Sequence, residues 1–190
     1  MFFFKISYII IIFSKQLQIT INVNQMKIDE KNIIFNNRVS IEQIEEGTEL
    51  CPKFNQEGLI PCITIEYETK EVLMFSFLNE EALRKSIETD KAHYYSRSRK
   101  NIWLKGEVSG MYHQIQDILI DDDQDSIIFT VKLNEPTKGG EKASCHVGYK
   151  SCFYRKVKVS DGKLILKFTE DRKSFDPKIV YEGVENPTKL

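Results

Sequence analysis

The chain has 190 residues, 41% of them hydrophobic and 29% charged, with a formal net charge of −1. That length and apolar content suit one soluble globular domain with a sizeable core and exclude a small scaffold held by disulfides. The balanced charge gives no overall pull toward nucleic acid or an anionic membrane. The four cysteines, Cys51, Cys62, Cys145 and Cys152, read as metal ligands or core residues of a cytoplasmic chain.

The N-terminal stretch MFFFKISYIIIIF is apolar through Phe13, with Lys5 inside it. It is shorter than the roughly 20 residues a membrane-spanning helix needs. It also lacks the basic start and the small-residue cleavage site of a signal peptide. Residues 1–25 are therefore set apart as an apolar extension, either extra coding sequence ahead of a start at Met26 or an arm of the native chain, and a single domain is expected over 26–190. IEQIEEG predicts a short helix closed by Gly47. From Leu59 the pattern turns to strands. IPCITIEYE alternates around Ile63, Ile65 and Tyr67, and EVLMFSFL is a continuous apolar run suited to a buried strand. The clearest helix signal follows: Asn79 as N-cap, Glu80 and Glu81 in the first turn, Ala82, Leu83 and Ile87 on one face, and an end near Asp90. Residues 93–110 read as strand plus loop. QIQDILI and SIIFTVKL read as strands on either side of an acidic cluster. NEPTKGGEKAS is a loop, FYRKVKVS and KLILKF form a hairpin about Asp161-Gly162, and the tail from FDPKIVY onward is irregular. Short, hairpin-linked strands with one clear helix near 79–90 predict an α+β, β-rich, mainly antiparallel domain.

The acidic cluster lies in IDDDQDSIIF, Ile120 to Phe129. If this stretch is extended, Asp121, Asp123 and Asp125 point to one side and Asp122 to the other. Three carboxylates on one side repel, and a hard cation such as Mg²⁺, which prefers oxygen ligands, would relieve them. A solvated acidic turn fits the bare pattern too. SCHVGYKSC, Ser144 to Cys152, carries two thiols with His146 between them. Thiolate and imidazole prefer zinc, and two protein thiolates leave zinc with open positions, as in catalytic sites. Two buried, metal-free cysteines fit this spacing as well. SRSR, Ser96 to Arg99, is either a solvated loop or a phosphate-binding run, since Arg forks and Ser hydroxyls match phosphate oxygens. Trp103, with Lys105 close behind, can stack on a base or belong to the core. Cys51 is expected at the surface and Cys62 on a strand, neither with a metal role.

Taken together, FNQEGLIPCITIEYETKEVLMFSFLNEEAL, KAHYYSRSRKNIWLKGEVSG, DDDQD and SCHVGYKSCFYR resemble the phosphoribosyl-AMP cyclohydrolase family of histidine biosynthesis, in family order and spacing from about Lys53 to Arg155. The resemblance implies a hydrolase that opens the N1–C6 bond of the adenine ring of phosphoribosyl-AMP, with Zn²⁺ and Mg²⁺ as cofactors. By resemblance, Cys145 and Cys152 are zinc ligands, His146 is the candidate general base or acid, and Asp121, Asp123 and Asp125 hold magnesium. Ser96, Arg97, Ser98, Arg99, Trp103, Lys105 and Glu107 lie where the family builds its substrate pocket. The family has Cys where this chain has Asp122, and that position supplies the third zinc ligand from the partner subunit. A homodimer with active sites at its interface is therefore expected, with Asp122 as an oxygen substitute for sulfur. The alternative is a catalytically impaired metal- or nucleotide-binding relative. The end at Leu190 predicts a monofunctional form, without the pyrophosphate-removing domain that many relatives carry.

Overall fold

Eight strands and three helices form in a computed structural model that describes residues 33–188, and the third helix lies in the tail read as irregular, where Asp176 caps it and Pro177 opens it. The apolar extension read over residues 1–25 lies outside the described residues. The elements are α1 (Ile41–Glu46), β1 (Ile60–Glu66), β2 (Val72–Leu78), α2 (Glu80–Thr89), β3 (His93–Ser96) and β4 (Asn101–Leu104), followed by β5 (His113–Ile120), β6 (Ile127–Leu133), β7 (Arg155–Ser160), β8 (Lys163–Phe168) and α3 (Pro177–Val180). Six strands make one sheet in the order β4-β3-β2-β1-β6-β5. Its pairs are antiparallel except β1 with β6, which run parallel and join the two halves of the sheet. The α+β, β-rich and mainly antiparallel expectation is met. Among the described residues no helix is long and apolar enough to cross a membrane.

The core follows from strand alternation and one helix face. Ile60, Cys62 and Thr64 alternate inward along β1, and Leu73, Leu78, Tyr94, Phe129 and Val131 close around them. Burying each of the aliphatic side chains contributes about 1.5–3 kcal/mol relative to exposure. Helix α2 begins as its sequence requires: Asn79 Oδ1 accepts from the Ala82 N–H at 2.9 Å. It ends with Asp90 in the left-handed region at φ 53. Ala82 and Leu83 are buried as expected. Ile87 is only half-buried, and Ser86 takes the inner position. Its hydroxyl donates to Ala82 O at 2.8 Å and accepts from His93 N–H at 2.9 Å, stitching α2 to β3.

Gly47 closes α1 as expected, with φ −79, and a Cβ there would lie 2.2 Å from Gln43 O, so glycine serves close approach. Two expectations are corrected. Cys51 is fully buried, not at the surface, because the acidic segment folds onto it and its N–H donates to Gln124 Oε1 at 2.7 Å. The acidic segment itself is not extended. β5 stops at Ile120, and a turn with Gln124 at φ 58 returns the chain into β6. The Asp121 carboxylate accepts from the N–H groups of Asp125 and Ser126, both at 2.9 Å, and from the Ser126 hydroxyl. An aspartate that bonds its own downstream backbone favours a turn over a strand.

Candidate active site

Alternation on β4 aims Trp103 to one side of the sheet, and Lys105, two residues on, follows on that side. Trp103 lies against Tyr94, its partner on β3, with ring centroids 5.2 Å apart. Gly106 then turns the chain at φ +94, where a Cβ would come within 2.3 Å of Tyr112 N. Lys105 is thereby held almost wholly buried, at 6% exposure. The loop from Ser144 to Cys152 folds back on itself: Gly148 N–H donates to Cys145 O at 3.0 Å and Ser144 N–H to Lys150 O at 2.8 Å. It hangs on β2 through Cys152 N–H to Leu73 O, 2.7 Å, and the Ser151 hydroxyl to Val72 O, 2.7 Å. The fold-back brings the Cys145 and Cys152 thiols into hydrogen-bond contact.

Of these residues Trp103, Lys105, Ser144 and Cys152 line one cavity of about 680 Å³, together with His146 and Tyr181. Tyr181 follows α3, which Asp176 caps by accepting from Lys178 N–H at 2.9 Å. Beneath it a small cluster of Met111, Ala143, Phe175 and Val180 fastens the tail to the loop. The electrostatics of the cavity are distinctive. Burial lowers the Lys105 ammonium to about 8, opposed by the two thiols beside it. The hydrogen bond from Cys152 lowers Cys145 to about 7, with Lys105 adding to the effect, while Cys152 is raised because its proton serves that bond. One thiol of the pair is therefore ready to be a thiolate near neutral pH. His146 is lowered by burial and then by Lys105, against the Asn186 side chain, which accepts from the ring and raises it. Its Nε2 is buried with no hydrogen-bond partner among the described residues.

The residues named from sequence divide between this cavity and two other places. Arg99 and Glu107 join Trp103 and Lys105 on its lining. Ser96, Arg97 and Ser98 lie outside it, at the end of β3 and on the turn that follows. Ser96 Oγ accepts there from Arg99 Nε at 3.2 Å, and the Arg97 guanidinium covers the Phe77 ring at 4.3 Å. The acidic loop does not line the cavity either. Oxygen atoms of Asp121, Asp123 and Asp125 all lie within 4.8 Å of one another, an oxygen-only donor set. The Lys53 ammonium meets Asp123 at 2.9 Å and Asp125 at 3.1 Å. Asp122 is exposed and stands outside the triad. The loop is pinned from behind by Gln124, which donates to Ile44 O at 3.1 Å and Glu49 O at 3.2 Å, and by the Arg38 side chain, which donates to Asp123 O at 2.9 Å. Sequence reading missed Tyr181, Asn186, Ser144, Lys53 and Gln124. Only Gln124 left a trace, as the one amide inside a run of aspartates.

A buried ammonium, a thiol pair and an imidazole gathered at and beside one cavity are the kind of reactive groups an enzyme site uses. Comparison with known proteins names the kind of enzyme. Residues 74–154 match the family model for phosphoribosyl-AMP cyclohydrolase. A phosphoribosyl-AMP cyclohydrolase of Rhodopseudomonas palustris is 41% identical over 143 residues, covering 75% of this chain and 93% of the relative. One from Sinorhizobium fredii is 42% identical over 139 residues, covering 73% and 88%. Another from Rhizobium rhizogenes is 40% identical over 151 residues, covering 79% and 98%. This chain belongs to the phosphoribosyl-AMP cyclohydrolase family, a family of hydrolases.

Proposed function

We propose that this chain hydrolyses the N1–C6 bond of the adenine ring of phosphoribosyl-AMP, the third step of histidine biosynthesis, in the cytoplasm. The observation that carries this reading is the convergence of Cys152, His146, Lys105 and Trp103 at one cavity, with Cys145 paired to Cys152, in a chain of this family. The donor sets suit the two ions the family implies. A hydrogen-bonded thiol pair with one member near thiolate is a soft set that would hold Zn²⁺, and the carboxylate triad of Asp121, Asp123 and Asp125 is a hard one that would hold Mg²⁺. When bound, zinc lowers the pKa of water enough to make it a nucleophile at neutral pH. The chain's own residues do the rest. Trp103 offers a ring face to the adenine, and the Arg99 and Lys105 cations meet the phosphates of phosphoribosyl-AMP. His146 Nε2, without a hydrogen-bond partner among the described residues, moves the proton between the attacking water and the departing ring nitrogen N1.

Asp122 would complete the thiol site of a second copy, and an amphipathic ribbon supports that homodimer. In the β7–β8 register Val157 faces Leu166 and Val159 faces Leu164, so one face of the hairpin is apolar and the other carries lysines. Val157, Val159 and Leu164 are exposed by 67%, 72% and 77%, an apolar face of the kind that marks an interface.

The test is ring opening followed by ultraviolet absorbance, with the protein supplied with zinc and magnesium. Turnover is expected, with about one zinc per chain. Asp122→Ala should lower zinc content measured by atomic absorption; unchanged zinc and activity would remove Asp122 from the site. No turnover with both metals bound would favour the second reading, a metal- or nucleotide-binding relative, which the oxygen ligand at Asp122 motivates.

A further inference from the structure

A row of three residues runs across the sheet beneath the cavity. Lys105 N–H donates to Ala92 O, and Ala92 N–H donates to His113 O, each at 3.0 Å. His93 pairs with Leu104, and Lys91 bridges to Gln114, so Ala92 stands opposite both Lys105 and His113. Neighbours directly opposite across strands share a face. Lys105 and His113 therefore flank Ala92 on one face, about 9–10 Å apart at two strand spacings, with only a methyl group between them.

His113 is fully buried. Its Nδ1 lies 3.2 Å from the Tyr94 hydroxyl, which lies 2.7 Å from Thr64 Oγ1. The other ring nitrogen, Nε2, has no hydrogen-bond partner among the described residues. Such an orphan in a core calls for an explanation. The chain of hydrogen bonds can run in either direction, and the neighbour on the open side decides. Lys105 carries only donors. An Nε2–H would meet it donor to donor, whereas an Nε2 lone pair would receive its proton. Burial, and then the Lys105 charge, hold the His113 imidazole neutral, so the lone pair is available.

We propose that His113 is a positioning residue for Lys105. Its Nε2 accepts a hydrogen bond from the ammonium through one water, while Nδ1–H donates to Tyr94 and Tyr94 to Thr64. The buried chain thereby aims the cation at the cavity mouth. This rests on Lys105 being a substrate contact, as proposed above.

Two measurements test it. Nitrogen-detected NMR of the histidine rings should show His113 as the Nδ1–H tautomer; an Nε2–H tautomer overturns the proposal whatever the substrate. In steady-state kinetics with phosphoribosyl-AMP, His113→Leu should raise KM about tenfold with kcat little changed, and His113→Gln, which keeps an acceptor, should restore most of the loss. The double variant His113→Leu with Lys105→Met should be no worse than Lys105→Met alone, because both act through one contact. Independent, additive losses, or a His113→Leu effect on kcat alone, would overturn it. A wild type that turns nothing over defeats the substrate reading instead, and the tautomer still decides the role of His113.

Discussion

At Asn79 a single carboxamide satisfies the Ala82 N–H that the first turn of α2 leaves without a helical acceptor. Asn79→Ala should lower stability by about 1 kcal/mol, read as a shift of the denaturant midpoint at constant m-value. Gly106 carries a heavier demand. Its φ of +94 and a Cβ position 2.3 Å from Tyr112 N leave no room for a side chain, and it fixes where Lys105 enters the cavity. Gly106→Ala should cost at least about 1–3 kcal/mol from backbone strain alone, and a normal melting temperature in that variant would refute the constraint. Both residues stood out in the sequence, Asn79 by its place before two glutamates and Gly106 within WLKGEVSG. His113 did not, because a lone histidine in an alternating strand carries no sign of what it will face.

The acidic loop shows the limit of reading at the scale of an element. Alternation along Ile120 to Phe129 put Asp121, Asp123 and Asp125 together for the wrong reason. The three carboxylates do converge, but on a turn, because Asp121 binds the backbone of Asp125 and Ser126. The support for that turn comes from far away in sequence. Gln124 reaches Cys51, Ile44 and Glu49, and Lys53 N–H donates to Gln124 O at 2.7 Å. Gln124→Leu should remove these side-chain bonds and leave the buried Cys51 N–H without a partner, at about 1–3 kcal/mol, while the part-buried Ile44 and Glu49 carbonyls lose their donor. Amides of residues 121–126 should then exchange faster with solvent, while those of β1 and β2 keep their protection. Equal protection in both proteins would show that the loop holds its shape without Gln124. α2, by contrast, was legible in its cap, acidic first turn and most of its buried face, which lie within a dozen consecutive residues, though Ser86 and not Ile87 takes the inner position.

At the scale of the molecule, the cavity joins segments distant in sequence: β4, the Ser144–Cys152 loop and the tail about Tyr181. Yet the acidic loop stays outside it, so the two proposed metal sites do not meet within one chain. The proposed dimer would bring them together, and the exposed apolar face of β7–β8 offers a surface for it. Light scattering should give a mass near twice the 22.2 kDa of the chain. Val157→Asp combined with Leu164→Asp should return it to the single-chain mass, because two carboxylates would have to be buried in an apolar contact. A dimer that survives both changes would place the interface elsewhere. The sequence by itself determined the strands, the capped helix, the thiol pair and the family, because periodicity, caps and motif spacing are local properties of the chain. Only the tertiary structure decided that Cys51 is buried, that the aspartates meet on a turn, that Lys105 lies in the core beside two thiols, and that the tail walls the cavity. Each of those depends on which surfaces exclude water together and on which buried polar groups find partners, and those partners are set by packing between segments far apart in the chain.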